Sequence, residues 1–235
     1  MRAEAILWDQ PWSERCATAL DLLHRLDVPV RSCAHPAIAL ATLLLAGVQH
    51  RRSGRRVALF PPGGSSPRGA LGFVDAAFEV AEQVSAGEMP LPESIWLACG
   101  SGGSAAGLAL GLLLAQLTTR VRAVRVTPRL ACNRHRLSGL AAGAWRLLSQ
   151  GMERETGGAP ASRLSNRLEL VEGFYPPGYA CETPASHDAA ELLTLLGLPG
   201  DTTYTGRTVA ALLQRAPLER GTHLYWHTLG SEGPG

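Results

Sequence analysis

The stretch from Ser94 to Thr119 carries no charged residue and is interrupted in its middle by Cys99-Gly100-Ser101-Gly102-Gly103-Ser104. Unbroken, an apolar run of that length would cross a bilayer. The polar, glycine-rich break is poor at continuing a helix, so the stretch separates into two soluble elements. Glu93 to Ala98 reads as a strand. Ser104 to Leu117 reads as an Ala/Leu-rich helix, apolar nearly all round and therefore buried. A strand, a glycine turn and a buried helix in direct succession form a unit of an α/β fold with a mainly parallel sheet.

The rest of the chain repeats that alternation. Strands are expected at Glu4 to Trp8, Val28 to Val30, Val57 to Phe60, Arg122 to Val126, Leu168 to Val171 and Thr222 to His227. Helices are expected over Glu14 to Leu26, after a turn at Gln10 to Ser13, and over Pro36 to Val48, with His50 to Arg56 as a basic connector. A helix capped by Ser66, with Pro67 in its first turn, should run to Ser85 and bury Leu71, Val74, Phe78, Ala81 and Val84. Further helices are expected over Leu137 to Leu148, Ser186 to Leu196 and Thr205 to Gln214, with Ser149 to Asn166 a loop or poorly ordered segment. The 235 residues suffice for one or two domains and a large core.

Several function classes are disfavoured at this level. A net charge of +2 gives no field that points to nucleic acid or to a membrane surface. The five tryptophans are scattered, so no stacking platform for single strands is suggested. The five cysteines are odd in number and form no CxxC pair, which argues against a disulfide framework or zinc site and for reduced thiols in the cytoplasm. With Arg2, Glu4 and Asp9 near the start, no signal peptide is expected. His223 and His227 flank Tyr225 without an accompanying carboxylate or cysteine, a poor metal set. Asp201 reads as a turn former. All 22 basic residues are arginine, so no lysine is available as a Schiff base, a general base or a P-loop cation.

In open α/β sheets ligands sit where strand ends meet helix N-termini. The Leu97 to Gly107 segment offers converging backbone N–H groups, a helix N-terminus and the hydroxyls of Ser101 and Ser104. Together these make a phosphate cradle that needs no lysine. A tight turn that merely packs helix on strand is the alternative. The spacing fits the dinucleotide fingerprint poorly, and no acidic residue follows at the required distance.

Five segments occur in a fixed order: PPGGSSPRGALGFVDAAFEVAEQ, PESIWLACGSGGSAAGLALGL, GFYPPGYA, DTTYTGRTVAALL and LYWHTLG. They resemble the D-cysteine desulfhydrase and 1-aminocyclopropane-1-carboxylate deaminase family of tryptophan-synthase-β-like, fold-type II pyridoxal-phosphate (PLP) enzymes. The likeness covers Gly63 to Gly230 and extends more weakly through Arg2 to Pro62. It implies parallel sheets flanked by helices, residues 1–57 as the remaining part of a small domain, and residues 58–235 as most of a large cofactor-binding domain. It also implies that Ser101, Gly102, Gly103 and Ser104 hold the cofactor phosphate, that Tyr179 and Tyr204 are active-site tyrosines, and that Thr205 faces the pyridine nitrogen. A hydroxyl at that last position is more similar to the desulfhydrase branch.

The chain also departs from the family pattern. The Schiff-base lysine and the Ser-Asn-His motif expected upstream are absent, and Ser165-Asn166-Arg167 lies in the wrong region to replace the latter. Ala180-Cys181-Glu182 and Leu229 differ from the usual residues. The opening is similar to the middle of a family member, so a truncation of on the order of a hundred residues is expected. The implied lineage reaction is α,β-elimination or deamination of a small amino acid such as D-cysteine or 1-aminocyclopropane-1-carboxylate. Without a lysine the chain is expected to be inactive alone, with PLP non-covalent or lost. A lysine-bearing partner chain or a homodimer, and a non-catalytic PLP- or phosphate-binding protein, remain open as alternatives.

Overall fold

The computed structural model describes residues 3–9, 14–150 and 161–227. The chain divides into two units, Met1–Phe60 and Pro61–Gly235. The turn at Gln10 to Ser13, residue Leu229 and positions 151–160 of the expected polar loop lie outside the described residues.

In the first unit β1 (Ala5–Trp8) pairs in parallel with β2 (Val30–Cys33), in register Ala5 with Val30. α1 (Glu14–Arg25) connects them, and α2 (Pro36–Arg52) follows. Three local expectations need correction. The second strand starts at Val30, because the Val28 N–H is turned back to the Leu23 carbonyl and Pro29 has no N–H to give. α2 continues through His50, Arg51 and Arg52, whose cationic side chains suit the negative end of the helix dipole. Val57 to Phe60 joins no sheet; Leu59 instead lies against Gly47 of α2, close enough that a Cβ there would meet it at 3.2 Å.

The second unit is a layered α/β/α structure. Its four-stranded sheet has the order β5-β4-β3-β6 and is parallel throughout, built from β3 (Ser94–Cys99), β4 (Arg120–Arg125), β5 (Leu168–Val171) and β6 (His223–Tyr225). Alternate side chains serve opposite faces. Ile95, Leu97, Cys99, Val121 and Ala123 enter a core with α3 (Pro67–Ser85), α4 (Gly103–Leu114) and α5 (Arg134–Ser149). Trp96, Val124 and Val126 face Ala211 on the other side. Ala211 belongs to α8 (Thr205–Arg215), which packs on α7 (Pro184–Leu195). Both faces are thus covered, as a parallel sheet requires. Arg122 is buried on the second face, over Trp96 at 5.8 Å and paired with Glu169 and Glu219.

Ser66 caps α3 as expected, accepting the Gly69 N–H at 3.0 Å. The expected apolar stripe is rotated, however. Ala70, Val74, Ala77 and Val80 are the buried residues, while Phe78 is 40% exposed. The reason lies in α4. A Cβ on Gly107 would come within 2.2 Å of the Ala70 carbonyl oxygen, and one on Gly111 within 2.5 Å of that of Val74. The two backbones approach so closely that only small side chains of α3 fit between them. The segment expected to be loop before β5 includes a short helix, α6 (Ala161–Leu164). Among the described residues, no helix is long and apolar enough to cross a membrane.

Candidate cofactor-phosphate site

β3 is central in the sheet, with β4 on one side and β6 on the other. The chain leaves β3 toward β4 through α4 and returns on the far side as β6, so the carboxyl end of β3 is a topological switch point. The glycine loop sits there. Gly102 is the N-cap of α4 and has φ +94°, a left-handed conformation that a Cβ would strain; that Cβ would also lie 2.7 Å from Leu137 Cδ2.

The carbonyl groups of the loop are tied back into the protein. Thr127 Oγ1 donates to the Gly100 carbonyl at 2.7 Å, and Arg136 Nε donates to the Ser101 carbonyl at 3.0 Å. Gly102 has no side chain to cap the helix, and the one N–H capped from elsewhere is that of Gly103, which donates to Ser65 Oγ at 3.0 Å. The first-turn N–H groups of Ser104 and Ala105 have no acceptor inside the helix. Ser65 and Ser101 share a hydroxyl hydrogen bond of 2.6 Å. Gly63 lies so close that a Cβ on it would overlap Ser101 Oγ. The result is a helix N-terminus with open donors, three hydroxyls nearby in Ser65, Ser101 and Ser104, and the Arg136 guanidinium behind the loop. That donor set fits a phosphate group. Ser65 and Arg136 were not singled out by sequence. Ser65 carries no local signal, since it sits 36 residues from its partner.

The two tyrosines named from the sequence meet in space. The Tyr179 and Tyr204 hydroxyls are 2.7 Å apart, and their rings stand edge to face with centroids separated by 6.2 Å. Tyr179 belongs to the loop after β5, and Tyr204 is the residue before α8. The Tyr204 ring borders the glycine loop; a Cβ on Gly100 would contact its Cε1 at 3.5 Å.

Thr205 is fully buried, and its hydroxyl is engaged by Asp201. It accepts from the Asp201 N–H at 2.7 Å and lies 2.9 Å from Asp201 Oδ2, to which it can donate. The Asp201 carboxylate also accepts the N–H groups of Thr203, Tyr204 and Thr205, which fixes the turn leading into α8. The turn-forming role read for Asp201 thus holds.

Cys99 ends β3 directly before the loop, with its Sγ 3.1 Å from that of Cys132. The hydrogen bond to Cys132 and burial hold the Cys99 thiol well above the ordinary range. His223 Nδ1 is bonded to Ser94 Oγ at 2.8 Å, and His227 Nδ1 lies 3.3 Å from the Tyr225 hydroxyl. Among the described residues no cluster of His, Cys, Asp or Glu is arranged to hold a metal.

No family model matches the chain. It is 28% identical over 215 residues to the D-cysteine desulfhydrase of Salmonella paratyphi C, an alignment covering 89% of this chain and 61% of the relative. The protein of the same name from Salmonella schwarzengrund is 29% identical with the same coverage. The chain therefore spans about three fifths of the length of these curated relatives. Among solved structures, an ACC deaminase homologue superposes with a TM-score of 0.67 at 22% identity, over 95% of this chain and 73% of that one. The O-acetyl serine sulfhydrylase isoform 3 of Entamoeba histolytica gives 0.52 at 13% identity, over 95% and 68%. By sequence the chain is similar to the D-cysteine desulfhydrases, and its fold is the one shared by the ACC deaminase homologue and other fold-type II PLP enzymes.

Proposed function

We propose that this chain binds PLP, with the phosphate at the N-terminus of α4, in a site inherited from enzymes that deaminate or desulfurate small amino acids. The observation that carries the reading is the Tyr179–Tyr204 hydroxyl pair, 2.7 Å apart and bordering Gly100 of the phosphate loop. A phosphate cradle alone would serve many ligands. A cradle with two phenols at its side is suited to a ligand that carries a proton-exchanging group near its phosphate.

The residues divide the work. Ser104 and Ala105 present the open backbone donors, Gly102 and Gly103 let the ligand approach the backbone, and Ser101 and Ser65 add hydroxyls. Thr205, its hydroxyl held by Asp201, would be the residue facing the ring nitrogen, a neutral group that does not force that nitrogen to be protonated. The phenol pair can pass a proton between its members and hold an amino-acid substrate by its carboxylate or its leaving group. Bound PLP would supply an electron sink for bond cleavage at the substrate α-carbon. The substrate class is a small amino acid such as D-cysteine or 1-aminocyclopropane-1-carboxylate, with ammonia and a 2-oxo acid as products.

Covalent attachment of PLP needs an amine, and these 235 residues contain no lysine. Turnover therefore requires a lysine from outside them, on a longer form of the chain or on a partner chain. The same observation favours a second reading, a non-catalytic PLP- or phosphate-binding subunit. The cysteines, which form no disulfide among the described residues, fit a reducing compartment, and we place the protein in the cytoplasm.

The test is titration of the chain with PLP, with pyridoxal and inorganic phosphate as controls. Saturable PLP binding, displaced by phosphate and not reproduced by pyridoxal, supports the site. Adding a lysine-bearing N-terminal segment and assaying sulfide release from D-cysteine then separates an enzyme from a binding module.

A further inference from the structure

Arg207 is 1% exposed, and among the described residues no carboxylate lies within ion-pair distance of it. Its guanidinium is spent on backbone carbonyls. Nη1 donates to the Tyr175 carbonyl at 2.8 Å, and Nη2 donates to the Gly178 carbonyl at 2.7 Å and to the Cys181 carbonyl. Its Nε is buried without an acceptor. Burial penalises this cation and the Asp201 charge nearby offsets the penalty only in part, so the guanidinium is a poor way to stabilise a fold. What the planar fork supplies is geometry: three acceptors held at once by one rigid group.

The three carbonyls bracket one residue. Tyr175, Gly178 and Cys181 lie on either side of Tyr179, whose hydroxyl meets that of Tyr204. Arg207 stands three residues after Tyr204, in the first turn of α8 and on the same side of the helix. One turn of helix therefore fixes Tyr204 through its backbone and Tyr179 through a side chain.

We propose that Arg207 is the positioning residue of this site, holding the 175–181 loop so that the Tyr179 hydroxyl meets Tyr204. The functional consequence rests on the PLP reading above; the positional claim does not.

The experiment uses the full chain labelled with 3-fluorotyrosine, its four tyrosines assigned in the fluorine NMR spectrum by single Tyr→Phe variants. Tyr179→Phe fixes where the Tyr204 resonance falls when the phenol pair is broken. In Arg207→Gln, whose amide has two N–H donors, and in Arg207→Lys, whose single nitrogen cannot span the places of Nη1 and Nη2, the Tyr204 resonance should move to that position while Tyr225 stays. PLP binding should weaken on the order of fivefold in Arg207→Lys. In the Tyr179→Phe background the Arg207→Lys change should have no further effect, because the arginine acts through that tyrosine. A folded Arg207 variant whose Tyr204 resonance stays at the wild-type position overturns the proposal. So does failure of both variants to fold, which would make Arg207 a folding residue. A wild-type chain that binds no PLP would sink the functional reading, while the tyrosine resonances would still decide the role of Arg207.

Discussion

Replacing Gly107 by alanine opposes two effects of known sign. In an isolated helix the change is favourable by about 1 kcal/mol, because alanine is the better helix former. In this fold the added Cβ would lie 2.2 Å from the Ala70 carbonyl oxygen and 2.6 Å from Phe73 Cβ, where ordinary contact begins at 3.4 Å. The obstacle is backbone, which cannot swing away, so α3 and α4 must part by about 1 Å. A gap of that size forfeits up to half of the dispersion attraction along the seam. Overpacking of this kind costs about 3 kcal/mol, the upper part of its usual range. The net expectation is a loss of about 2 kcal/mol, or about 4–8 °C in Tm for a chain of this size. Urea unfolding should show a lower midpoint with an unchanged slope. Gly139 on α5 is the control: nothing lies within 4 Å of a Cβ there, so Gly139→Ala should be neutral or stabilising. If Gly107→Ala is as stable as wild type, the close packing of α3 on α4, which also sets the position of the phosphate loop, is wrong.

Gly102→Ala should leave the chain folded but weaken PLP binding about tenfold or more, because it strains a left-handed residue and presses on Leu137; calorimetric titration reads it. Burial, with the Asp201 charge adding to it, pushes the Tyr225 phenol well above its usual value. The folded state keeps that proton while the unfolded chain releases it near pH ~10, so this contribution is intact below about pH 10 and is lost as pH rises further. Tyr225→Phe should flatten the alkaline fall in the urea midpoint. Cys99 and Cys132, both buried, should resist Ellman's reagent at neutral pH until the chain unfolds, whereas Cys16, Cys33 and Cys181 should react.

The α/β architecture was legible because strand and helix periods alternate cleanly from Ser94 onward, and Leu168–Val171 was placed to the residue. The failures have physical causes. Val57 to Phe60 has strand-like residues but, among the described residues, no neighbouring strand to complete a ladder. The α3 face was misassigned because periodicity favours large residues such as Phe78, whereas the true partner is a glycine-lined helix that admits Ala70 and Ala77. Within the candidate site, Ser101 to Ser104, Tyr179 and Tyr204 could be named because they lie in short ordered motifs. Ser65, although inside the PPGGSSPRG segment, and Arg136 act across long sequence separations on backbone groups, so their roles could not be read locally. Arg207 stands inside the YTGR motif, yet its role depends on three carbonyls from another segment.

The central claim is that the N-terminus of α4 holds the phosphate of PLP. Calorimetric titration of the intact chain with PLP, repeated in excess inorganic phosphate, tests it most directly. The account predicts one saturable site per chain that phosphate displaces and Gly102→Ala weakens. Absence of saturable binding, or binding indifferent both to phosphate and to Gly102→Ala, would contradict it.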